Sequence, residues 1–173
     1  IVKPNLAVPA TPDRLQRPDL IPPGTRTINI VDIGRLLLDE SMETPIKALF
    51  IYNHNPVCTH PDQSRMRRAL AQEDLFVVGS DVVMTDSMKY CDVVLSACSH
   101  FESHDLFCAY GQSYVQRGEP VIAPVIAPVG ESLPNSEIFR RLAARFGFDD
   151  PTFLDDDVAL MDAAIDGDDP RLE

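Results

Sequence analysis

Short apolar runs of strand length alternate with helix-like segments through the central part of the chain. Three such runs are IKALFIY (46–52), DLFVVGSD (74–81) and DVVLSA (92–97). Nearly continuous apolar runs are typical of strands buried on both faces of a parallel sheet. Because strands that alternate with helices form βαβ units, the pattern predicts an α/β fold with a doubly wound, mostly parallel sheet, a Rossmann-like three-layer domain.

Helices are predicted over residues 62–73, 85–91, 135–147 and 155–165. In the first, Pro61 and Asp62 suit the first turn, and Met66, Ala69 and Leu70 form an apolar stripe. In the third, Asn135 is the predicted N-cap and Gly147 ends the helix. Its predicted buried face holds Ile138, Phe139, Leu142, Ala143 and Phe146.

The remaining segments set the predicted domain limits. Residues 1–45 are interpreted as an extended proline-rich connector, with a short strand and helix over 28–38. Residues 46–150 form the predicted α/β domain, in which 98–119 is a long loop and 119–124 is a fourth strand near a sheet edge. Residues 151–173 form an acidic C-terminal segment.

Charge and cysteine usage exclude several classes of protein. The net charge of −12 makes binding to nucleic acid through its phosphates unfavourable, so no nucleic-acid partner is expected. Four cysteines without a CxxC pair indicate reduced, mostly buried thiols and a cytoplasmic protein. No stretch is apolar for long enough to predict a membrane segment.

Ligands of parallel sheets bind at the carboxyl ends of the strands, which here lead into the loops 53–61, 80–87 and 96–105. The candidate binding residues in and near these loops are Asn53, Asn55, Pro56, Ser80, Asp81, Thr85 and Asp92. Local structure offers an alternative for each group: an Asx turn at 53–56, a turn cap by Asp81, and a helix cap by Thr85 or Ser87. The chain lacks GxGxxG, which argues against a standard NAD or FAD site.

Histidines and cysteines suggest two further chemistries. His100, Glu102 and His104 have the spacing of a metal-dependent hydrolase, but the segment is predicted to be a loop. Cys98 with His100 lacks an orienting third residue for nucleophilic catalysis. Cys58 with His60 is interpreted as a chance pairing, so no metal ligand is assigned in this chain.

The order and spacing of the loop motifs carry a family resemblance. The motifs are Asn53-His54-Asn55-Pro56, Asp74–Asp81, Thr85-Asp86-Ser87, Cys91–Leu95, Glu102, Asp105 and Pro128-Val129-Gly130-Glu131, followed by a helix that ends LAARFG. Over about residues 15–150 the sequence is similar to the third domain of the bis-molybdopterin guanine dinucleotide oxidoreductases, the family of dimethyl sulfoxide reductase, formate dehydrogenase and nitrate reductase. Ser96 and Ser87 stand where that pattern usually has Pro and Thr, and a doubled VIAP (121–128) lengthens the loop before Gly130.

The resemblance implies that residues 46–150 are a nucleotide-binding α/β domain, a cofactor-binding part of a larger molybdenum or tungsten enzyme. The ligand would be the guanine end of a molybdopterin guanine dinucleotide, and the metal ligand would lie in the remaining domains of the parent oxidoreductase. A carboxylate can accept hydrogen bonds from both N1–H and the N2 amino group of guanine, so Asp81 and Asp92 are the candidate guanine contacts. The isolated chain is expected to be inactive. The alternative is a stand-alone flavodoxin-like binding module without catalysis.

Overall fold

The computed structural model describes residue 19 and residues 21–107, 115–123 and 130–164. The chain divides into two compact units, Gly24–Ala97 and the segment from Cys98 onward together with Ile1–Pro23. The predicted limits at residues 45 and 150 stay predictions. No helix among the described residues has the length and hydropathy needed to cross a bilayer.

The first unit is built on a parallel sheet of three strands in the order β1-β2-β3. These strands are Ala48–Tyr52 (β1), Phe76–Asp81 (β2) and Val93–Ser96 (β3). In the register, Tyr52 lies beside Ser80 and Asp81 beside Ser96, so the carboxyl ends of all three strands meet at one edge. The structure therefore confirms the predicted α/β class with a parallel sheet.

The helices of this unit are Ile33–Leu36 (α1), Pro56–Thr59 (α2) and Gln63–Leu70 (α3), with 3-10 turns at Ile30–Asp32 and Met88–Tyr90. The predicted stripe of α3 is confirmed, since Met66, Ala69 and Leu70 are all buried. The side chain of Asp62 accepts a hydrogen bond from the backbone N–H of Arg65 and so caps α3.

One face of the sheet forms the core of this unit. Ile51 of β1 and Val77 of β2 point to that face, where they cluster with Val57, Met66 and Met88. The opposite face is more open, because Phe76 and Val93 are 51% and 41% exposed. The apolar runs are therefore only partly buried in the described structure, although they had predicted burial on both faces.

Gly79 allows the chain that follows β2 to pack closely on the sheet. A Cβ at this position would lie 2.7 Å from Sγ of Cys91 and would also clash with the side chain of Met88. The 3-10 turn of Met88–Tyr90 replaces the helix predicted over residues 85–91. Because glycine at the centre of β2 has no Cβ, Met88 and Cys91 can pack directly against the strand.

Among its described residues, the second unit contains two helices and an antiparallel pair of short strands. The strands are Asp105–Phe107 (β4) and Gln116–Gly118 (β5), and the helices are Asn135–Phe146 (α4) and Asp157–Ala164 (α5), with a 3-10 turn at Pro151–Phe153. Two predictions are therefore wrong: residues 98–119 are not a continuous loop, and the described residues 119–123 form no strand. Residues 124–128, which complete the VIAP duplication, lie outside the described part.

Helix α4 confirms its predicted extent and differs in its details. Gly147 ends the helix with φ of 81°, a conformation that glycine adopts without a Cβ clash. The N-cap is Pro134 rather than Asn135, which lies one position inside the helix. Ile138 and Ala143 are buried, whereas Phe146 is 75% exposed and its ring lies 6.2 Å from that of Phe148.

The segment before β1 also differs from its prediction. The short strand predicted at the start of residues 28–38 does not form, because the side chain of Asn29 accepts a hydrogen bond from the backbone N–H of Val31 and starts a helical turn instead. The helix predicted after it is confirmed as α1. Residues 1–18 and 20 of the proline-rich connector lie outside the described residues.

Candidate functional site

The carboxyl ends of β1 and β2 are joined by a backbone hydrogen bond. Asn53 follows β1 with φ of 49°, a left-handed conformation that asparagine tolerates better than most residues. Its N–H donates to the carbonyl oxygen of Ser80 at 3.2 Å. The two loops predicted to bind a ligand therefore start side by side.

The second asparagine of this loop faces the protein. Oδ1 of Asn55 accepts a hydrogen bond of 2.7 Å from Oγ of Ser87, and that Oγ in turn accepts one of 3.0 Å from the N–H of Val57. Pro56 is buried and occupies the first turn of α2, where a missing N–H costs nothing. Asn55 and Ser87 thus connect the loop after β1 to the loop after β2.

Ser80 contributes an unpaired hydroxyl at this edge. The residue is 1% exposed, and its Oγ has no hydrogen-bond partner among the described residues. A buried hydroxyl without a partner costs about 1–3 kcal/mol, so such groups are rare in folded proteins unless water or a ligand satisfies them. Ser80 is therefore the clearest indication of a ligand contact in this unit.

Asp81 ends β2 beside Ser80 and is half-buried. Its Oδ1 accepts a hydrogen bond of 2.7 Å from the N–H of the next residue, Val82, and its carbonyl oxygen accepts one of 3.1 Å from the N–H of Ala97. Oδ2 receives no hydrogen bond from the described residues. The carboxylate thus engages only the adjacent N–H and through one oxygen, whereas a cap of the 82–86 segment would accept from an N–H two or three residues further on.

Thr85 and Asp86 lie in the loop after β2. Oγ1 of Thr85 accepts a hydrogen bond of 3.3 Å from the N–H of Met88, which is the capping contact considered as its alternative role. Asp86 pairs with Lys89 at 2.8 Å, and its carboxylate lies 3.5 Å from Sγ of Cys58. The hydrogen bond from Lys89, followed by that from Cys58, lowers the pKa of Asp86 below its usual range.

Asp92 lies away from the other candidates. It precedes β3, so it lies at the amino end of the sheet, whereas Asn53 and Asp81 lie at the carboxyl end. Its Oδ2 accepts a hydrogen bond of 2.7 Å from the N–H of Val77, and its own N–H donates to the carbonyl oxygen of Val77 at 2.8 Å. The structure thus brings six of the seven candidates to one edge and separates Asp92 from them.

Two histidines that were not selected from the sequence lie together beside α2. The Nε2 atoms of His54 and His60 are 2.7 Å apart, and Oγ1 of Thr59 lies 3.3 Å from Nε2 of His54. Burial, and to a smaller extent the neighbouring His54, lowers the pKa of His60. His54 precedes α2 and His60 follows it, so no single helix or strand carries both residues, and only the turn of α2 reveals this pair.

The three residues considered for a metal-dependent hydrolase, His100, Glu102 and His104, do not come together around one point. The carboxylate of Glu102 accepts hydrogen bonds from the N–H and Oγ of Ser99 at 2.9 and 2.7 Å, so it orders its own loop. Nδ1 of His104 lies 2.9 Å from a carboxylate oxygen of Glu119, and the ring of His100 lies against Phe101. Among the described residues, no group of three or more His, Cys, Asp or Glu side chains is arranged to hold a metal.

The described cysteines are free thiols in three different environments. Cys58 is exposed, Cys91 is half-buried and Cys98 is buried. Burial is the main cause that raises the pKa of Cys98, which disfavours the thiolate needed for nucleophilic catalysis. Cys108 lies outside the described residues.

Comparisons with known proteins identify the family. The family model described as molybdopterin oxidoreductase matches residues 26–145, which is well over half of the chain. The chain belongs to the molybdopterin oxidoreductase family, as its motifs had indicated.

Similar proteins include oxidoreductases of bacteria and archaea. The chain is 41% identical to the probable oxidoreductase YoaE of Bacillus subtilis over 91% of its own length and 23% of that protein. It is 32% identical to the F420-dependent formate dehydrogenase subunit alpha of Methanocaldococcus jannaschii over 66% of this chain and 16% of that one. It is 35% identical to a trimethylamine-N-oxide reductase of Vibrio vulnificus over 58% of this chain and 12% of that one. The chain thus spans less than a quarter of the length of these relatives.

A solved structure has a similar fold. Acetylene hydratase from Pelobacter acetylenicus matches 70% of this chain and 16% of its own chain, with a TM-score of 0.59 and 24% sequence identity. At this identity the match supports the fold alone.

Proposed function

We propose that this chain is the part of a molybdopterin-dependent oxidoreductase that holds the guanine nucleotide end of a molybdopterin guanine dinucleotide. The contacts would come from Asn53, Ser80, Asp81 and Thr85 at the carboxyl edge of the sheet. Asn55 and Pro56 would shape the loop between them. The family match and the position of these residues at the ligand-binding edge of a parallel sheet support this proposal.

The buried Oγ of Ser80 is the observation that carries the proposal. It has no partner among the described residues, and it lies one residue from a carboxylate whose Oδ2 receives no described hydrogen bond. A nucleotide offers both kinds of partner, because its oxygens accept hydrogen bonds and the guanine edge donates them. The residues present therefore fit the proposed cofactor.

Asp81 would provide selectivity for guanine. N1–H and the N2 amino group of guanine point in the same direction and donate to a carboxylate, whereas adenine presents an acceptor at N1. The carboxylate of Asp81 is half-buried, a setting in which hydrogen bonds to a charged group are stronger than in water. We propose a different role for Asp92, which would hold the amino end of β2 in place through Val77.

The redox chemistry would belong to parts of the protein beyond this chain. When bound, the cofactor supplies a molybdenum or tungsten centre that exchanges electrons with the substrate. The residues of this chain would bind and orient the nucleotide end only. We propose that the remaining domains of a longer protein provide the metal ligand and the substrate pocket. Nucleic acid and a membrane would have no part in this function. We also propose a cytoplasmic location, in which the free cysteines would stay reduced.

Calorimetric titration of the 173-residue chain with GMP and AMP tests the site. We expect weak binding with a preference for GMP, because much of the cofactor's enclosure lies elsewhere. D81N should abolish the preference by weakening GMP binding at least about tenfold, since each hydrogen bond to a charged group contributes about 1.5–3 kcal/mol. S80A should weaken both nucleotides, and S64A on the exposed surface of α3 is the control.

Two outcomes would contradict the proposal. One is equal affinity for GMP and AMP in the wild-type chain. The other is unchanged GMP binding in D81N and S80A, which would favour the alternative of a stand-alone flavodoxin-like binding module. Circular dichroism of each variant would establish that lost binding does not reflect lost folding.

A further inference from the structure

The histidine pair beside α2 is a concentration of ligand atoms that the proposed nucleotide site does not use. Asn53 and Asn55 flank His54 in the chain, and α2 carries the backbone from there to His60. The N–H of His60 donates to the carbonyl oxygen of Pro56 at 3.0 Å, which fixes its backbone on the helix. As a result both imidazoles turn their Nε2 atoms toward the same point.

The surroundings of the pair are mostly apolar. His54 and His60 border a cavity of about 420 Å³ whose walls include Ile28, Ile33 and Met66. Burial lowers the pKa of His60 and so favours its neutral form, and the described residues that line the cavity include no carboxylate. Neutral imidazole has a free nitrogen lone pair, and nitrogen of this kind is a preferred ligand of copper, nickel and zinc.

From this arrangement we infer that His54 and His60 form a binding site for a divalent transition-metal ion, with Oγ1 of Thr59 as a neighbouring oxygen donor. Metal–nitrogen bonds to histidine are about 2.0–2.1 Å long, so two ligand nitrogens on one ion are separated by roughly 3 Å. The present separation of 2.7 Å needs to increase only slightly. Water would complete the coordination, since the described residues near the pair provide no third His, Cys, Asp or Glu.

The site is independent of the nucleotide proposal. It uses side chains that point to the cavity beside β1, and none of its nitrogen ligands belongs to the proposed nucleotide contacts. Copper should bind most tightly, nickel and zinc more weakly, because affinities for nitrogen ligands follow that order across the divalent metals. Failure of GMP binding would therefore leave this inference intact, and the reverse also holds.

Titration of the 173-residue chain with Cu²⁺, followed by calorimetry and electron paramagnetic resonance, tests the inference. The wild-type chain should bind one Cu²⁺ with hyperfine coupling to two nitrogens. H54Q and H60Q should each weaken binding at least about tenfold, because loss of even an indirect partner of a metal ligand costs 10–100-fold. H100Q changes an exposed histidine of the second unit and should bind like wild type.

Folding is checked by a measurement that does not depend on the metal. Far-ultraviolet circular dichroism of H54Q and H60Q should match wild type, and Cu²⁺ should raise the melting temperature of wild type and H100Q only. Equal Cu²⁺ affinity in wild type and the H54Q/H60Q double variant would overturn the inference. A resonance spectrum without coupling to two imidazole nitrogens would also overturn it, and the pair would then be a simple hydrogen bond.

Discussion

Oγ of Ser87 donates a hydrogen bond of 2.7 Å to Oδ1 of Asn55, a residue 32 positions earlier in the chain. The same oxygen accepts the N–H of Val57 at 3.0 Å, and Ser87 has no exposed surface. The Ser87 hydroxyl thus provides the acceptor for an N–H at the start of α2, and it joins the loops that follow β1 and β2. These are the loops in which the proposed nucleotide contacts lie, so their separation depends on this side chain.

Replacing Ser87 with alanine should lower the free energy of unfolding by about 1–3 kcal/mol. The change leaves the N–H of Val57 buried without its partner, which is the costly way to lose a hydrogen bond. Urea unfolding followed by circular dichroism measures the difference. S64A removes a hydroxyl from the exposed face of α3 and should have little effect. Equal stability of S87A and S64A would show that the connection between the loops contributes nothing.

Replacing Gly79 with alanine should destabilise the first unit by about 1–3 kcal/mol, the usual cost of overpacking a core. The added Cβ would lie 2.7 Å from Sγ of Cys91 and closer still to the Met88 side chain. Chemical denaturation of G79A and the control G34A tests this. At Gly34 a Cβ would lie 3.3 Å from the flexible end of the Met66 side chain and 3.6 Å, an ordinary contact distance, from the backbone N and Cα of Met66, so G34A should be neutral or slightly stabilising. The prediction fails if G79A is as stable as G34A.

The two possible roles of Asp92 predict different results. D92A should lower the free energy of unfolding by about 1–3 kcal/mol, because the buried N–H of Val77 loses its acceptor, whereas D92N retains an acceptor oxygen and should lose less. If Asp92 only holds β2, GMP titration of D92N should match wild type. Loss of GMP affinity in a fully folded D92N would instead assign Asp92 to the guanine, as the sequence had first suggested.

Stability at low pH should depend on Glu137. Hydrogen bonds from Arg141 and Arg140 outweigh the effect of partial burial and lower the pKa of Glu137 below its ordinary value of 4.5. A carboxyl whose pKa is lower in the folded chain stabilises the fold above pH 4.5, and this contribution is lost as the pH falls through the folded pKa. The effect should stay under about 1 kcal/mol, because the ion pairs are partly exposed.

Melting temperatures of wild type and E137Q between pH 6 and pH 3 provide the measurement for Glu137. Wild type should lose more stability than E137Q over this range, while the control E131Q should follow wild type. Parallel curves for wild type and E137Q would rule out a contribution from this carboxyl.

Several elements could be predicted because their signals are local. The runs that became β1, β2 and β3 are apolar over strand length, and the stripe of Met66, Ala69 and Leu70 has helical period. The hairpin of β4 and β5 was missed because its strands are only three residues long and contain polar residues. The short strand predicted at the start of residues 28–38 is absent because the Asn29 side chain starts a helical turn, a contact that hydrophobic periodicity does not reveal.

The sequence alone determined the fold class, the family and the chain segments that form the carboxyl edge, since strand alternation and motif order are properties of the chain itself. The tertiary structure decided which side chains face that edge. Ser80 and Asp92 are both polar residues in or beside a strand. Only packing leaves the Ser80 hydroxyl without a partner among the described residues and turns the Asp92 side chain to the N–H of Val77. The meeting of His54 with His60 has the same origin, because side-chain direction depends on the turns and neighbours that the folded chain supplies.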